Sequence, residues 1–483
     1  MNHTMSLLTD LYQLTMIYGY WKNGIADKHA VFQMFFRKNP FQGGYVVAAG
    51  LGPVLDYMSN LSFSDADIEY LSTLMGNDGE RLFENDFLRF LRESIPELDV
   101  YAVPEGTFVF PHEPLLRVHG PLWQCQLVET ALLNTINFQS LIATKAARIC
   151  NAARGEPVLE FGLRRAQGVN GALSASRAAY IGGAAATSNV LAGAEYGIPV
   201  KGTHAHSWVM CFDNELEAFR AYADAMPNNC VFLVDTYDTI QGVKNAVKVG
   251  LELRGRGHEM IGIRLDSGDL AYLSTEARRI LDDGGFPDAK IVASNDLDEH
   301  LINSLKGQDA EIRIWGVGTK LATAYDQPAL GGVYKLAAIK EGNVYIPKLK
   351  LSEQAVKTSN PGILQVRRFL DDDRAAGDMI YDMKSDCETD SIVMVDPMDP
   401  TRRKNMDQYK NSCNLLLPAM GHGVSMITDT LDDIRARREE QERLFHSGIR
   451  RLENPHQYPV GLEITLHSKK MEMILRHRSG EGF

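Results

Sequence analysis

The middle of the chain repeats one pattern, and that pattern limits the fold more than anything else in it. An apolar, β-branched-rich run leads into a polar or glycine cluster and then into helix-like spacing. The runs are "PVLEFG" (157–162), "IPVKGTHAH" (198–206), "CVFLVDT" (230–236), "MIGIRLDSGD" (260–269), "KIVASND" (290–296) and "IRIWGVGT" (312–319). The later ones recur at intervals of about 20–35 residues, the length of a strand, a helix and two loops. Between them, 239–253, 270–283 and 298–306 carry apolar residues at helical spacing. Continuous apolar strands alternating with helices mean a parallel sheet covered on both faces. At least six such units predict an irregular, incomplete TIM-like α/β barrel over 151–335, although an open doubly wound sheet leaves the same local trace.

Either arrangement gathers the polar residues at the C-terminal strand ends into one place. The tips offer Arg164 and Arg165, His204 and His206, Asp235, Arg264 with Asp266 and Asp269, Asn295 with Asp296, and the amides of Gly316 to Thr319. The flanks read differently. Residues 1–150 mix helical segments with strand-like "HAVFQMFF" and "LLRVHG", and 333–398 read as antiparallel strands. The segment "TLDDIRARREEQERLFHSGIRRL" is a charged, solvent-facing helix. The two flanks, 1–150 and 336–483, are expected to form one β-rich α+β domain beside the barrel.

Composition excludes several classes of function. At 483 residues with 45% hydrophobic and 23% charged side chains, the chain is an ordinary globular one, long enough for two domains. A formal net charge of −12 repels nucleic acid, and no basic run with interleaved aromatics offsets it. No stretch has the length of a membrane span or the h-region of a signal peptide. The six cysteines form no CxxC, so a cytoplasmic location is expected.

Each chemistry-bearing stretch has a plain reading beside the functional one. "WGVGTKL" brings glycine amides and Thr319 to a strand end, where they can converge on an anion or simply make a tight turn. "RLDSGD" sets Arg264 and Asp266 on one turn, for a ribose diol, a metal-bound diphosphate or a structural ion pair. Ser267 or Asp269 can cap the helix that follows. "EFGLRR" places Phe161 before twin arginines suited to a diphosphate. In "TDLYQLTM", Thr9 reads as a helix N-cap and Tyr12 as a packing residue. The pair in "GTHAHSW" would share one face of a strand, as in a metal-dependent hydrolase barrel. No later strand tip adds a histidine, which leaves one functional histidine opposite arginines and carboxylates. Asp235, Asp269 and Asp296 are the candidates for orienting it.

Together these stretches resemble nicotinate phosphoribosyltransferase, of the type II phosphoribosyltransferases. The resemblance runs in family order from "LLTDLYQLTM" through "FFRKNPFQGGYVVAAGL", "EFGLRRAQG", "SNVLAG", "GTHAHSW", "RLDSGDL" and "SND" to "GVGTKLATAYDQPALGGVYKL", covering most of residues 7–336. It implies an enzyme of NAD salvage that joins nicotinate to phosphoribosyl pyrophosphate, giving nicotinate mononucleotide and pyrophosphate. ATP hydrolysis would be coupled through a transiently phosphorylated histidine, and Mg²⁺ would accompany phosphoribosyl pyrophosphate. The phosphorylated residue by motif position is His206, with His204 at a variable position as its neighbour. The resemblance further implies a pyridine ring held between Phe161 and Tyr12, with Tyr12 supplied by the partner subunit of a homodimer. Gly202 falls in the same nicotinate stretch. Arg164 or Arg165, with Arg264, would handle anionic groups, and Asp266 would meet the ribose. Gly316, Gly318 and Thr319 would hold the 5′-phosphate. Ser188 stands where nicotinamide-using relatives carry an aspartate, which would repel a carboxylate. The metal is expected to be carried by the pyrophosphate with no protein ligand assigned, Asp235 and Asp266 being the candidates for one. The rival readings are a metal-dependent hydrolase using His204 and His206, and a non-catalytic nucleotide-binding protein.

Overall fold

The computed structural model describes residues 3–352, 358–384 and 392–479, and its chain divides into two compact units, Leu141–Pro328 and Met1–Ser140 with Ala329–Phe483. The whole is a mixed α/β protein. In the first of these units six strands pair in parallel: β1 (Val158–Glu160), β2 (Ala186–Thr187), β3 (Val231–Leu233), β4 (Gly262–Leu265), β5 (Lys290–Ala293) and β6 (Ile314–Val317). Their order across the sheet is β2-β1-β6-β5-β4-β3. Phe232, Leu233, Ile263, Leu265, Ile291, Ala293, Trp315 and Val317 are fully or almost fully buried, which is why these strands read as unbroken apolar runs. Helices Thr239–Arg254, Leu270–Asp283 and Glu299–Gly307 link β3 to β6, each capped by an aspartate at its N-terminus: Asp238, Asp269 and Asp298.

The run 198–206 departs from expectation. It is not a strand, and its only ladder contact is a parallel bridge from Val200 to Thr187. Pro199 has no N–H to give a ladder, and the segment is bounded by Gly197, at φ 70°, and by Gly202. The strand that does form, β2, lies earlier, in a Gly/Ala-rich stretch with little β signal. His206 instead opens the short helix His206–Met210, so the two histidines do not share a strand face.

The other unit holds a seven-stranded antiparallel sheet, in the order Val344–Pro347, Val333–Glu341, His29–Phe35, Leu116–Pro121, Asp99–Ala102, Leu417–Gly421, Val424–Ser425. A second sheet of six strands contains one parallel pairing, between Arg374–Asp382 and Val460–Glu463. The antiparallel region expected over 333–398 includes 353–357 and 385–391, which lie outside the described residues. Helix Leu431–Leu444 is largely exposed, with Ile434 and Arg438 buried. Helix Leu11–Lys22 begins at Asp10, whose N–H donates to Gln13 Oε1 (2.9 Å). Thr9, expected in that capping role, donates its hydroxyl to the Leu127 carbonyl instead (3.2 Å). No helix among the described residues is long and apolar enough to cross a membrane.

Candidate active site

The C-terminal ends of the parallel strands surround two adjoining cavities. One, about 200 Å³, is lined by Phe161, Arg164, Arg165, Arg264, Asp266, Ser294, Asn295, Asp296, Gly316, Gly318 and Thr319. The other, about 370 Å³, shares Phe161, Arg164, Arg264 and Asp266 and adds Ser188, Gly202, Thr203, His204, Ala205, His206 and Leu233. Strand tips far apart in sequence, from Phe161 to Thr319, therefore converge on one volume. Tyr12 is outside both linings; it lies half-exposed on helix Leu11–Lys22, beside exposed Leu8, Leu11 and Met16.

Below the first tip, Glu160 is buried at the end of β1 and takes hydrogen bonds from the Ser176 hydroxyl (2.9 Å), the Thr187 hydroxyl (2.6 Å) and the Gly162 amide. This fixes the turn that raises Phe161 and the arginine pair. The Phe161 ring packs against β6: a Cβ at Gly316 would come within 2.8 Å of two ring carbons, so a side chain there would displace the ring. At the tip of β5, Asn295 and Asp296 both have positive φ, 93° and 38°. Backbone in that region is costly for non-glycine residues and concentrates at binding sites.

Arg264 and Asp266 form the centre. Arg264 donates through Nη2 to Asp266 Oδ1 (2.9 Å), through Nε to Ser294 Oγ (2.8 Å) and through Nη1 to Thr203 Oγ1 (2.9 Å). The Ser294 hydroxyl donates on to Asp266 Oδ1. Burial works against the charge on Asp266, but the Ser294 hydrogen bond and the Arg264 guanidinium outweigh it, with a smaller contribution from His206. The carboxyl is held below its ordinary range. His206 sits opposite, Nδ1 against Thr236 Oγ1 (3.1 Å) and Nε2 3.7 Å from Asp266 Oδ2.

Asp266 is thus the carboxylate facing His206, in place of the three expected candidates. Asp235 braces the next turn instead, its Oδ2 accepting from the Asp266 amide (2.8 Å) and the Ser267 hydroxyl (2.7 Å). Asp269 caps its helix through the Tyr272 amide (3.1 Å), and Asp296 lines the smaller cavity. His204 is buried, and its Nε2 accepts from the Leu233 amide (3.2 Å). That nitrogen is already engaged, so the pair is not arranged as a metal clasp. Among the described residues no group of three His, Cys, Asp or Glu is placed to hold a metal.

Sequence reasoning left Ser294, Thr203, Thr236 and Glu160 out of the site. For Ser294 there was a signal, the "SND" stretch at a strand end; for Glu160, a lone carboxylate inside an apolar strand. Thr203 and Thr236 gain their roles only when the tips of neighbouring elements meet.

Comparison with known proteins finds relatives along nearly the whole chain. Residues 7–137 match the nicotinate phosphoribosyltransferase N-terminal domain, and residues 364–470 match the C-terminal domain of the same family. A nicotinate phosphoribosyltransferase of Bacillus subtilis is 44% identical over 98% of this chain and 95% of its own length. This chain belongs to the nicotinate phosphoribosyltransferase family. A human family member is 37% identical over 78% of each chain. The crystal structure of human nicotinic acid phosphoribosyltransferase superimposes with a TM-score of 0.84 at 32% identity, over 96% of this chain and 99% of that one. A nicotinate-nucleotide pyrophosphorylase from Pyrococcus furiosus shares the fold, with a TM-score of 0.68 at 22% identity.

Proposed function

We propose that this chain transfers a phosphoribosyl group from phosphoribosyl pyrophosphate to nicotinate, within NAD salvage. The observation that carries the reading is the convergence of Phe161, Arg164, Ser188, His206, Arg264 and Asp266 on two connected cavities. The parallel sheet is read as an incomplete TIM-like barrel with the site at its open C-terminal face.

In this reading Phe161 carries one face of the pyridine ring, with Gly202 and neutral Ser188 near its carboxylate. The other face is covered by Tyr12 from the partner subunit of a homodimer. Arg164 and Arg165 take anionic groups, and the amides of Gly316, Gly318 and Thr319 hold the 5′-phosphate. The pyridine nitrogen bonds to ribose C1 as the C1–O bond to pyrophosphate breaks. Positive charge develops on the ribosyl centre, and Asp266 faces it. Positioning and electrostatics supply the catalysis.

Magnesium entering with the diphosphate would neutralise the leaving group. Asp266 fits as its contact, as does Asp235, whose buried Oδ1 has no hydrogen-bond partner. His206, as a neutral imidazole, attacks the γ-phosphorus of ATP. An N–P bond forms, the bridging P–O bond breaks, and ADP leaves. Hydrolysis of the phosphohistidine after turnover resets the site in the cytoplasm, where ATP and the co-substrates are found.

The direct test mixes the protein with nicotinate and Mg²⁺-phosphoribosyl pyrophosphate, with and without ATP. Nicotinate mononucleotide is expected in both, faster and with ADP released when ATP is present. Absence of the nucleotide in both would reject the reading. Retention of stoichiometric tightly bound metal would favour the hydrolase.

A further inference from the structure

The parallel sheet leaves one edge on β2 and the other on β3. On the β2 side, the Thr187 amide donates to the Pro199 carbonyl (3.0 Å) and the Lys201 amide to the Thr187 carbonyl (3.0 Å). The chain then leaves the ladder and runs through 202–205 towards His206 with no strand pairing.

On the β3 side, the Val234 amide donates to the Arg264 carbonyl of β4 (3.2 Å). Successive amides along a strand point to opposite sides, so the Leu233 N–H points off the sheet. Leu233 is wholly buried, and a buried N–H without an acceptor is costly. The acceptor is the imidazole of His204, through Nε2 at 3.2 Å. A ring accepting at Nε2 carries its proton on Nδ1, which lies 3.4 Å from the Ala205 carbonyl. The ring is braced edge-on by Tyr222, centroids 4.8 Å apart and planes at 62°.

We infer that His204 is a positioning residue. Its neutral imidazole stands in for a missing strand carbonyl, tying the 202–206 loop to the edge of β3. The tie matters because the groups on either side of it reach the reacting centre. Thr203 receives the Arg264 guanidinium, and His206 rests against Thr236, three residues beyond Leu233. A loop free to slide by about 1 Å would lose both contacts, and misplacement of that size can cost about a hundredfold in rate. Burial, aided by the nearby Arg264 and His206, pushes the pKa of His204 down to about 4, so the accepting form persists at neutral pH.

The kinetic side of this inference rests on the phosphohistidine reading of His206; the structural side does not. The first measurement therefore needs no turnover: nitrogen-15 spectra of histidine-labelled protein, with the His204 signals identified by their loss in His204→Gln. A neutral Nδ1–H tautomer between pH 8 and 6 is expected. An Nε2–H tautomer, or a ring that titrates in that range, would overturn the inference.

The second measurement compares His204→Leu, which removes the acceptor, with His204→Gln, whose carboxamide oxygen can replace it. In His204→Leu the ATP-coupled kcat should fall at least about tenfold. His204→Gln should recover most of the loss. Equal losses in both variants, or a His204→Leu enzyme matching the parent, would each overturn it. A parent enzyme with no ATP coupling would reject the phosphohistidine reading alone, and the tautomer would then decide the role of His204.

Discussion

Two arginine–aspartate pairs in this molecule have the same chemistry and opposite surroundings. Arg368 and Asp378 face each other across adjacent antiparallel strands, with side chains 1% and 0% exposed. Every group has a partner: Arg368 donates to both Asp378 oxygens, to Gln441 Oε1 (3.0 Å) and to the Phe108 carbonyl (2.8 Å), while the Tyr458 hydroxyl donates to Asp378 (2.8 Å). Glu113 beside them is pushed well above the usual carboxyl range, by burial first and then by the charge on Asp378. Arg264 and Asp266 are 12% and 29% exposed, open onto a cavity, and partnered by hydroxyls that can be exchanged for substrate oxygens. The closed pair holds a fold together; the open pair is free to do chemistry.

The largest effects should fall on opposite properties. Asp378→Ala leaves a buried guanidinium without its counterion and should cost about 3–5 kcal/mol of stability, read as a large drop in the denaturation midpoint. Arg264→Ala should keep a near-parental midpoint and lose about a thousandfold or more in kcat/KM, the scale of removing a preorganised charge from a reacting centre. Similar stability losses in both variants would break the distinction between the pairs.

The next effect is confined to coupling. His206→Ala should abolish ATP hydrolysis and leave slow nucleotide formation that ATP no longer accelerates. Full coupling in that variant would exclude His206 as the phosphoryl acceptor. Smaller again is a change of selectivity. Ser188→Asp should weaken nicotinate about 10–100-fold relative to nicotinamide, because a second carboxylate in the pocket repels the first. Equal losses for the two substrates would place Ser188 away from the ring's substituent.

The open pair was legible in the sequence and the closed one was not. Arg264 and Asp266 are two residues apart at the end of an apolar run, the arrangement that brings side chains to a strand tip. Arg368 and Asp378 meet only through the register of a hairpin. Helices Thr239–Arg254 and Leu270–Asp283 could be read to within a residue because their apolar spacing is regular and their ends carry polar caps. The run 198–206 misled because its apolar residues are β-branched, while Pro199 and its bounding glycines deny it a ladder. Ser294, Thr203 and Thr236 are small hydroxyl residues with no pattern of their own. Their meaning arises when the tips of β3, β4 and β5 and the loop at 202–205 bring together positions 30 or 61 residues apart.

Acid should expose a cost carried by both units. His119 accepts a hydrogen bond from Arg117 Nε at Nε2 (2.7 Å), as His204 accepts one from the Leu233 amide, and each acceptor must stay neutral. Burial, then the Arg117 charge, drives the pKa of His119 down to about 3. Below the ordinary histidine value near 6.5, the unfolded chain binds a proton that the folded chain refuses. Stability then falls with decreasing pH until the folded group titrates, by about 1.4 kcal/mol per pH unit for each such histidine. Both contribute between about pH 6.5 and 4. His119→Gln keeps an acceptor beside Arg117 and removes the titration, so its unfolding free energy should decline less steeply over that range. His204→Gln should do the same for the other unit. A His119→Gln slope equal to the parent's would mean that His119 is already protonated in the folded protein, and that Arg117 is held by the Leu364 carbonyl (2.5 Å) without its help.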